Sequence, residues 1–251
     1  MSESLRKALL ILDVLRDSEA GLSARDLAAR LDLPKSTAQR LLQTLEQSRM
    51  AAQDPVTRKY GLGPHTLTLG MAYRDRLDLR NVALPHMRRL RDTVEETVGL
   101  SVAVGATRMF IEEVQSQSEL RARSELGQPY PLWMGAPGRV LLADLGDDEL
   151  RRILDQADES SWRAVSPATR EGFVDHLAVI RGRGHDRACD ETIVGISAAA
   201  VPVRDATGRV CAALSVSGPT ARMSPATMDS ILPDVLHASA AISRALGGRV
   251  W

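Results

Sequence analysis

A chain of 251 residues that is 44% apolar and 25% charged can bury a substantial core. No apolar run approaches the roughly 18 residues of a membrane span, and Met1-Ser2-Glu3-Ser4-Leu5-Arg6-Lys7 lacks an apolar signal core. A cytoplasmic protein with no membrane partner is expected, and Cys189 and Cys211 offer no disulfide framework. The zero net charge hides an asymmetry: residues 1–80 carry 13 basic and 10 acidic side chains, residues 81–251 carry 19 and 22, and every lysine (Lys7, Lys35, Lys59) precedes residue 60.

Leu5, Ala8, Leu9, Leu12 and Leu15 share one helical face and predict a first helix near Ser4–Asp17. Ser23 with Asp26 three residues on reads as a capping box opening a second, short helix with Leu27, Ala28 and Leu31 as its apolar stripe. Asp32-Leu33 makes a turn, and Pro34 suits the first turn of a third helix. In that helix Ala38, Leu41, Leu42 and Leu45 turn inward, leaving Lys35, Ser36, Thr37, Gln39, Arg40, Gln43 and Thr44 outside. The stretch from Met50 to Gly63, with Asp54-Pro55-Val56-Thr57 at its tip, predicts a β-hairpin. Helical patterns follow over Pro64–Leu79 and, bent or started near Pro85, over Asn81–Thr97.

From Gly99 short strands are predicted at Leu100–Gly105, Met109–Val114, Ala198–Arg204 and Val210–Ser217. Helices are predicted at Gly138–Ala143, Asp147–Gln156, Arg170–Arg181 and Ser224–Leu246. This is an α+β chain with one central antiparallel sheet in its second part.

Three helices, a tight turn and a hairpin within about sixty residues form a winged helix-turn-helix, whose third helix can enter the major groove. Lys35 and Arg40 suit phosphate or guanine, Gln39 and Gln43 suit adenine, and Ser36 and Thr37 suit phosphate positioning. Arg58 and Lys59 on the hairpin reach backbone or minor groove; Ser23 and Arg25 complete the DNA-facing set. Each glutamine taken alone reads equally well as a solvated surface residue.

These residues resemble the IclR family of bacterial regulators. The likeness runs through Ser4–Leu12, Leu33-Pro34-Lys35-Ser36-Thr37-Ala38-Gln39-Arg40-Leu41-Leu42, Tyr60-Gly61-Leu62-Gly63, Gly135–Ala143, Glu191–Val203 and Leu214–Pro219. The resemblance implies a winged helix-turn-helix over 1–63, a linker helix over 64–80 and a GAF-like effector domain over 81–251. It also implies a homodimer that can pair into a dimer of dimers, double-stranded operator DNA as partner, and DNA affinity set by a small organic acid. The effector position it implies falls on Leu132, Trp133, Met134, Ala136, Pro137, Ile196, Ala198, Ser215 and Ser217. Ser215 and Ser217, two apart on a strand, face one side, and the start of the Gly138 helix suits a carboxylate. Trp133 reads either as the floor for an aromatic acid or as core packing. Many relatives have Gly-Lys at Gly138-Arg139, and the position of an effector-binding carboxylate in some falls on Ala188.

Enzymatic readings lack their chemistry. Gly182–Arg187 faintly echoes a biotin-ligase loop, but no lysine follows Lys59. Gly195-Ile196-Ser197-Ala198-Ala199 lacks the closing glycine of a nucleophile elbow. His185, Cys189, Asp190 and Cys211 match no compact zinc spacing, and Gly61-Leu62-Gly63 lacks a third glycine for a dinucleotide. Neither cofactor, metal nor catalytic residue is expected. A ligand-binding enzyme behind the DNA module and an interaction scaffold with a vestigial pocket stand as the readings from other classes.

Overall fold

A computed structural model describes residues 3–75, 78–158, 161–162 and 169–247, and the chain divides into two compact units, Met1–Arg76 and Leu77–Trp251. The first unit contains α1 (Glu3–Arg16), α2 (Ala24–Arg30), α3 (Lys35–Gln47), β1 (Ala51–Gln53), β2 (Tyr60–Leu62) and α4 (Pro64–Asp75). The Ser23 hydroxyl accepts the Asp26 N–H while the Asp26 carboxylate accepts the Ser23 N–H, so the predicted capping box opens α2. Pro34 is the N-cap of α3 and Lys35 its first helical residue, one step outside the first turn predicted for the proline. Ile11, Leu15, Leu27, Leu41, Leu42, Leu45, Ala51 and Tyr60 form the core. β1 and β2 pair antiparallel, and backbone bonds between Leu22 and Tyr60 tie the loop before α2 to the hairpin.

The second unit contains α5 (Asp78–Val94), β3 (Thr97–Val104), β4 (Thr107–Val114), β5 (Tyr130–Pro131), α6 (Gly135–Leu142), α7 (Asp147–Leu154), α8 (Arg170–Arg183), β6 (Asp186–Cys189), β7 (Ile196–Arg204), β8 (Val210–Pro219) and α9 (Pro225–Ala245). Its strands form one six-stranded antiparallel sheet in the order β5-β4-β3-β8-β7-β6. The sheet has period-two faces. Leu100, Ile111, Val201, Leu214 and Val216 point to one side and pack with Ala83 and Met87 of α5 and Val235 and Ile242 of α9. Ala200 and Ala213 point to the other, where α6, α7 and α8 build a second core with Leu132, Trp133, Leu142, Leu154 and Phe173.

Four sequence expectations change. α5 runs through Pro85 to Val94, and Thr97, predicted as its end, begins β3. β5 and β6 were not expected: β5 is two residues long, and β6 follows a Gly/Arg-rich turn that reads as loop. α6 begins at Gly135 rather than Gly138, because Pro137 tolerates a first turn that asks for no N–H. Within α6, a Cβ on Gly138 would lie 2.1 Å from the Leu132 carbonyl oxygen, so the helix can approach the preceding segment only through glycine.

Candidate functional site

The first unit presents the outer face of α3. Lys35, Ser36, Arg40 and Gln43 are exposed while Ala38, Leu41, Leu42 and Leu45 are buried, so the amphipathic period separates a reading face from a packing face. No side chain caps α3 at Pro34, which leaves the first-turn N–H groups without a side-chain acceptor. Thr37 and Gln39 are half-buried, and the Gln39 amide donates to the Tyr60 hydroxyl at 3.4 Å. Arg25 is exposed, but the Ser23 hydroxyl donates to Asp26 at 2.7 Å as well as capping α2. At the hairpin tip Asp54 Oδ1 accepts the N–H groups of Val56 (2.9 Å) and Thr57 (2.7 Å), which holds the Asp54 carboxyl below the usual range. That turn sets Arg58 exposed and Lys59 half-exposed.

The second unit holds a cavity on the α6 side of its sheet, with about 70 Å³ of free space. Ala136 and Pro137 from α6, Ile196 and Ala198 from β7, and Ser215 and Ser217 from β8 line it, as do Ala188 of β6 and Thr192. The serines share a face because Leu214 and Val216 take the other; Ser215 donates weakly to the Gly99 carbonyl at 3.4 Å. Gly99 makes room here, since a Cβ would sit 2.6 Å from the Phe110 ring. Leu132, Trp133 and Met134 do not line the cavity. Leu132 and Trp133 are buried in the α6–α8 core, where Trp133 packs 6.5 Å from Trp162, and Met134 packs against that core as the α6 N-cap. The sheet-facing turn of α6 points the next residues, not these, at the strands.

Sequence reasoning missed Arg108, Phe110 and Tyr130, which complete the wall from β4 and β5. Once β4 is placed, the alternation of Arg108 and Phe110 against Met109 and Ile111 gives the signal. It also missed the network behind α6. Arg139, 1% exposed, donates from Nε to Asp186 at 2.5 Å, from Nη1 to Glu191 and from Nη2 to the Arg187 carbonyl at 3.1 Å. Asp186 also receives Arg183 at 2.5 Å and His176 at 3.0 Å. Burial alone would raise the Asp186 pKa, but His176 and the Arg139 guanidinium outweigh it and hold the carboxyl low. Glu191, on the cavity wall, is thereby committed to Arg139. Among the described residues no cluster of His, Cys, Asp and Glu could hold a metal ion, and no helix is long and apolar enough to cross a membrane.

A winged helix-turn-helix with an exposed reading face, carried on the same chain as a sheet-backed cavity, defines a DNA-binding transcriptional regulator with a ligand-binding domain. Residues 4–55 match the IclR helix-turn-helix domain and residues 71–244 the bacterial transcriptional regulator IclR C-terminal domain; the chain belongs to the IclR family. It is 31% identical to the HTH-type transcriptional regulator XynR of Escherichia coli K12 over 245 residues, covering 98% of this chain and 97% of that one. It is 30% identical to the HTH-type transcriptional repressor AllR of the same organism, covering 98% and 91%. An IclR transcriptional regulator from Alicyclobacillus acidocaldarius superposes with a TM-score of 0.83 at 25% identity, covering 99% of this chain and 100% of that one.

Proposed function

We propose that this regulator is a repressor whose grip on a pseudo-palindromic operator is set by a small organic acid in the cavity of its second unit. The observation that carries the reading is the outer face of α3, exposed and free of acidic residues in its first turn. Lys35, Ser36, Thr37, Gln39, Arg40 and Gln43 read or position the duplex, with Arg58 and Lys59 on the adjacent backbone. Arg25 supports the phosphate contacts, while Ser23 serves by capping α2. The repressor role rests on the name of the AllR relative. Exposed leucines on α1 (Leu5, Leu9) and α4 (Leu67, Leu69) support a homodimer, and a dimer presents two α3 helices to two half-sites.

In the cavity, Ser215 and Ser217 supply hydroxyls, α6 supplies the positive end of its dipole, and Ala136, Pro137, Ile196 and Ala198 supply apolar contact. The free space is about half the roughly 150 Å³ that accepts a benzene ring in a rigid core, which favours a short aliphatic acid over an aromatic one. Binding there changes operator affinity only by the ligand's differential affinity for the gripping and releasing states. The test is a pair of variants in operator gel shifts. Arg40→Ala should weaken binding and lower the slope of log K against log salt by about 1, leaving ligand-induced stabilisation unchanged. Ser215→Ala with Ser217→Ala should leave DNA binding intact and remove the ligand response. Equal damage to both activities in either folded variant refutes the division of labour.

A further inference from the structure

Arg108 on β4 is 2% exposed, yet among the described residues no carboxylate pairs with it. Its Nε makes one long bond to the Met134 carbonyl at 3.5 Å, and its Nη1 is buried with no hydrogen-bond partner. The guanidinium is wedged between two rings, 5.0 Å from the centroid of Phe110 and 4.9 Å from that of Tyr130. These contacts hold its direction and soften its desolvation, but rings do not neutralise a full charge. Burial drops its pKa to about 10, which leaves it cationic at neutral pH.

The neighbouring buried arginine sets the contrast. Arg139 has Asp186 and Glu191, and that pairing uses up the one acidic side chain that the described residues put on the cavity wall. Arg108 faces the same cavity with nothing left to pair with. Its Nη2 also comes within 3.5 Å of where a Cβ on Gly135 would stand, an ordinary contact distance, so the side chain reaches the N-terminus of α6. A buried cation without a carboxylate partner and a helix N-terminus both border one small space; their fields add on an anion placed there.

We propose that Arg108 is the anion anchor of this cavity, receiving the single carboxylate of the effector while Phe110 and Tyr130 hold the guanidinium in place. The inference rests on the cavity being the effector site and adds the residue that selects charge. It also narrows the ligand to monoanionic acids, because one uncompensated positive charge in a buried site matches one negative charge. Esters, amides and lactones of the same carbon skeleton leave Arg108 unpaired and are excluded. A dicarboxylate brings a second charge for which the described wall offers, besides Arg108, only the exposed Arg123.

The experiment uses the full chain and a panel of acetate, propionate, pyruvate, benzoate and succinate, with the primary amides of the monoacids. Thermal shift and operator release are read for the wild type, Arg108→Met and Arg108→Gln. Wild type is expected to respond to one or more monoacids at least tenfold more strongly than to the matched amide. Both variants should bind operator as the wild type does and lose that acid preference by tenfold or more. Without ligand, Arg108→Met should melt at or above the wild-type temperature, because it removes an unpaired buried charge. If Arg108→Met fails to fold, Arg108→Gln carries the same comparison. A variant that keeps the acid preference overturns the anchor while leaving the cavity reading standing. A wild type stabilised equally by acid and amide also overturns it. A wild type that responds to no member of the panel overturns the cavity reading itself.

Discussion

Asp186→Asn keeps the shape of β6 and removes one charge from the most buried ion network among the described residues. Asp186 is fully buried and receives Arg139, Arg183 and His176, and Arg139 is itself 1% exposed. Breaking a buried pair from one side typically costs about 3–5 kcal/mol, because the remaining cation has lost its hydration without compensation. For a unit of roughly 150–250 residues each kcal/mol moves the melting temperature by about 2–4 °C, so a fall of about 6–20 °C is expected. The assay can be made specific to the second unit. All three tryptophans follow residue 130, and Trp133 and Trp162 sit in the core under α6, so intrinsic fluorescence follows that unit. The pH dependence has a definite sign. A carboxyl held low when folded contributes stability above its unfolded pKa of about 3.9 and loses it as pH falls through the folded value. The gap between wild type and Asp186→Asn should therefore be widest near neutrality and close on acidification below about pH 4. A neutral-pH loss under about 1 kcal/mol, or a gap that widens in acid, refutes the assignment of this network as the tether between α6 and β6.

Gly138→Ala should destabilise the second unit by about 1–3 kcal/mol, since its Cβ meets the Leu132 carbonyl, and urea denaturation followed by tryptophan emission reads the loss. Asp54→Ala removes the acceptor of two tip N–H groups; operator affinity should fall several-fold in gel shifts with little change in the far-ultraviolet spectrum, because the freed turn no longer presents Arg58. Glu191→Gln takes a negative charge off the cavity wall and should tighten binding of a monoacid several-fold by calorimetry. A weaker affinity would instead make Glu191 an acceptor for a ligand hydroxyl.

The elements legible in the sequence are those whose period decides their packing. α3 is recognisable from Ala38, Leu41, Leu42 and Leu45, and the pairing of Ser215 with Ser217 on one face follows from strand alternation alone. What could not be read depends on contacts between distant segments. Trp133 is aromatic and adjacent to the cavity loop, but only the position of Trp162 and Phe173 determines that it turns into the core. The start of α6 was hidden because Gly135-Ala136-Pro137-Gly138 carries breaker residues that the first helical turn happens to tolerate. Arg139 finds Asp186 across 47 positions, and nothing local in either segment announces the pair.

The two buried arginines, one on the cavity wall and one behind α6, do two jobs with one residue type. Arg139 is satisfied by protein and ties α6 to β6 and the loop after it; Arg108 is left for an outside anion. The fall of the Arg108 pKa from its ordinary value to about 10 corresponds to a standing penalty of about 3 kcal/mol on the cation. A carboxylate that relieves it recovers that energy only in the bound state, so the empty protein is less stable than its core area would suggest and the ligand-induced rise in melting temperature correspondingly steep. A sensor needs that difference. Were Arg108 paired within the protein as Arg139 is, a bound acid would have little charge to relieve, and the cavity would bind without reporting.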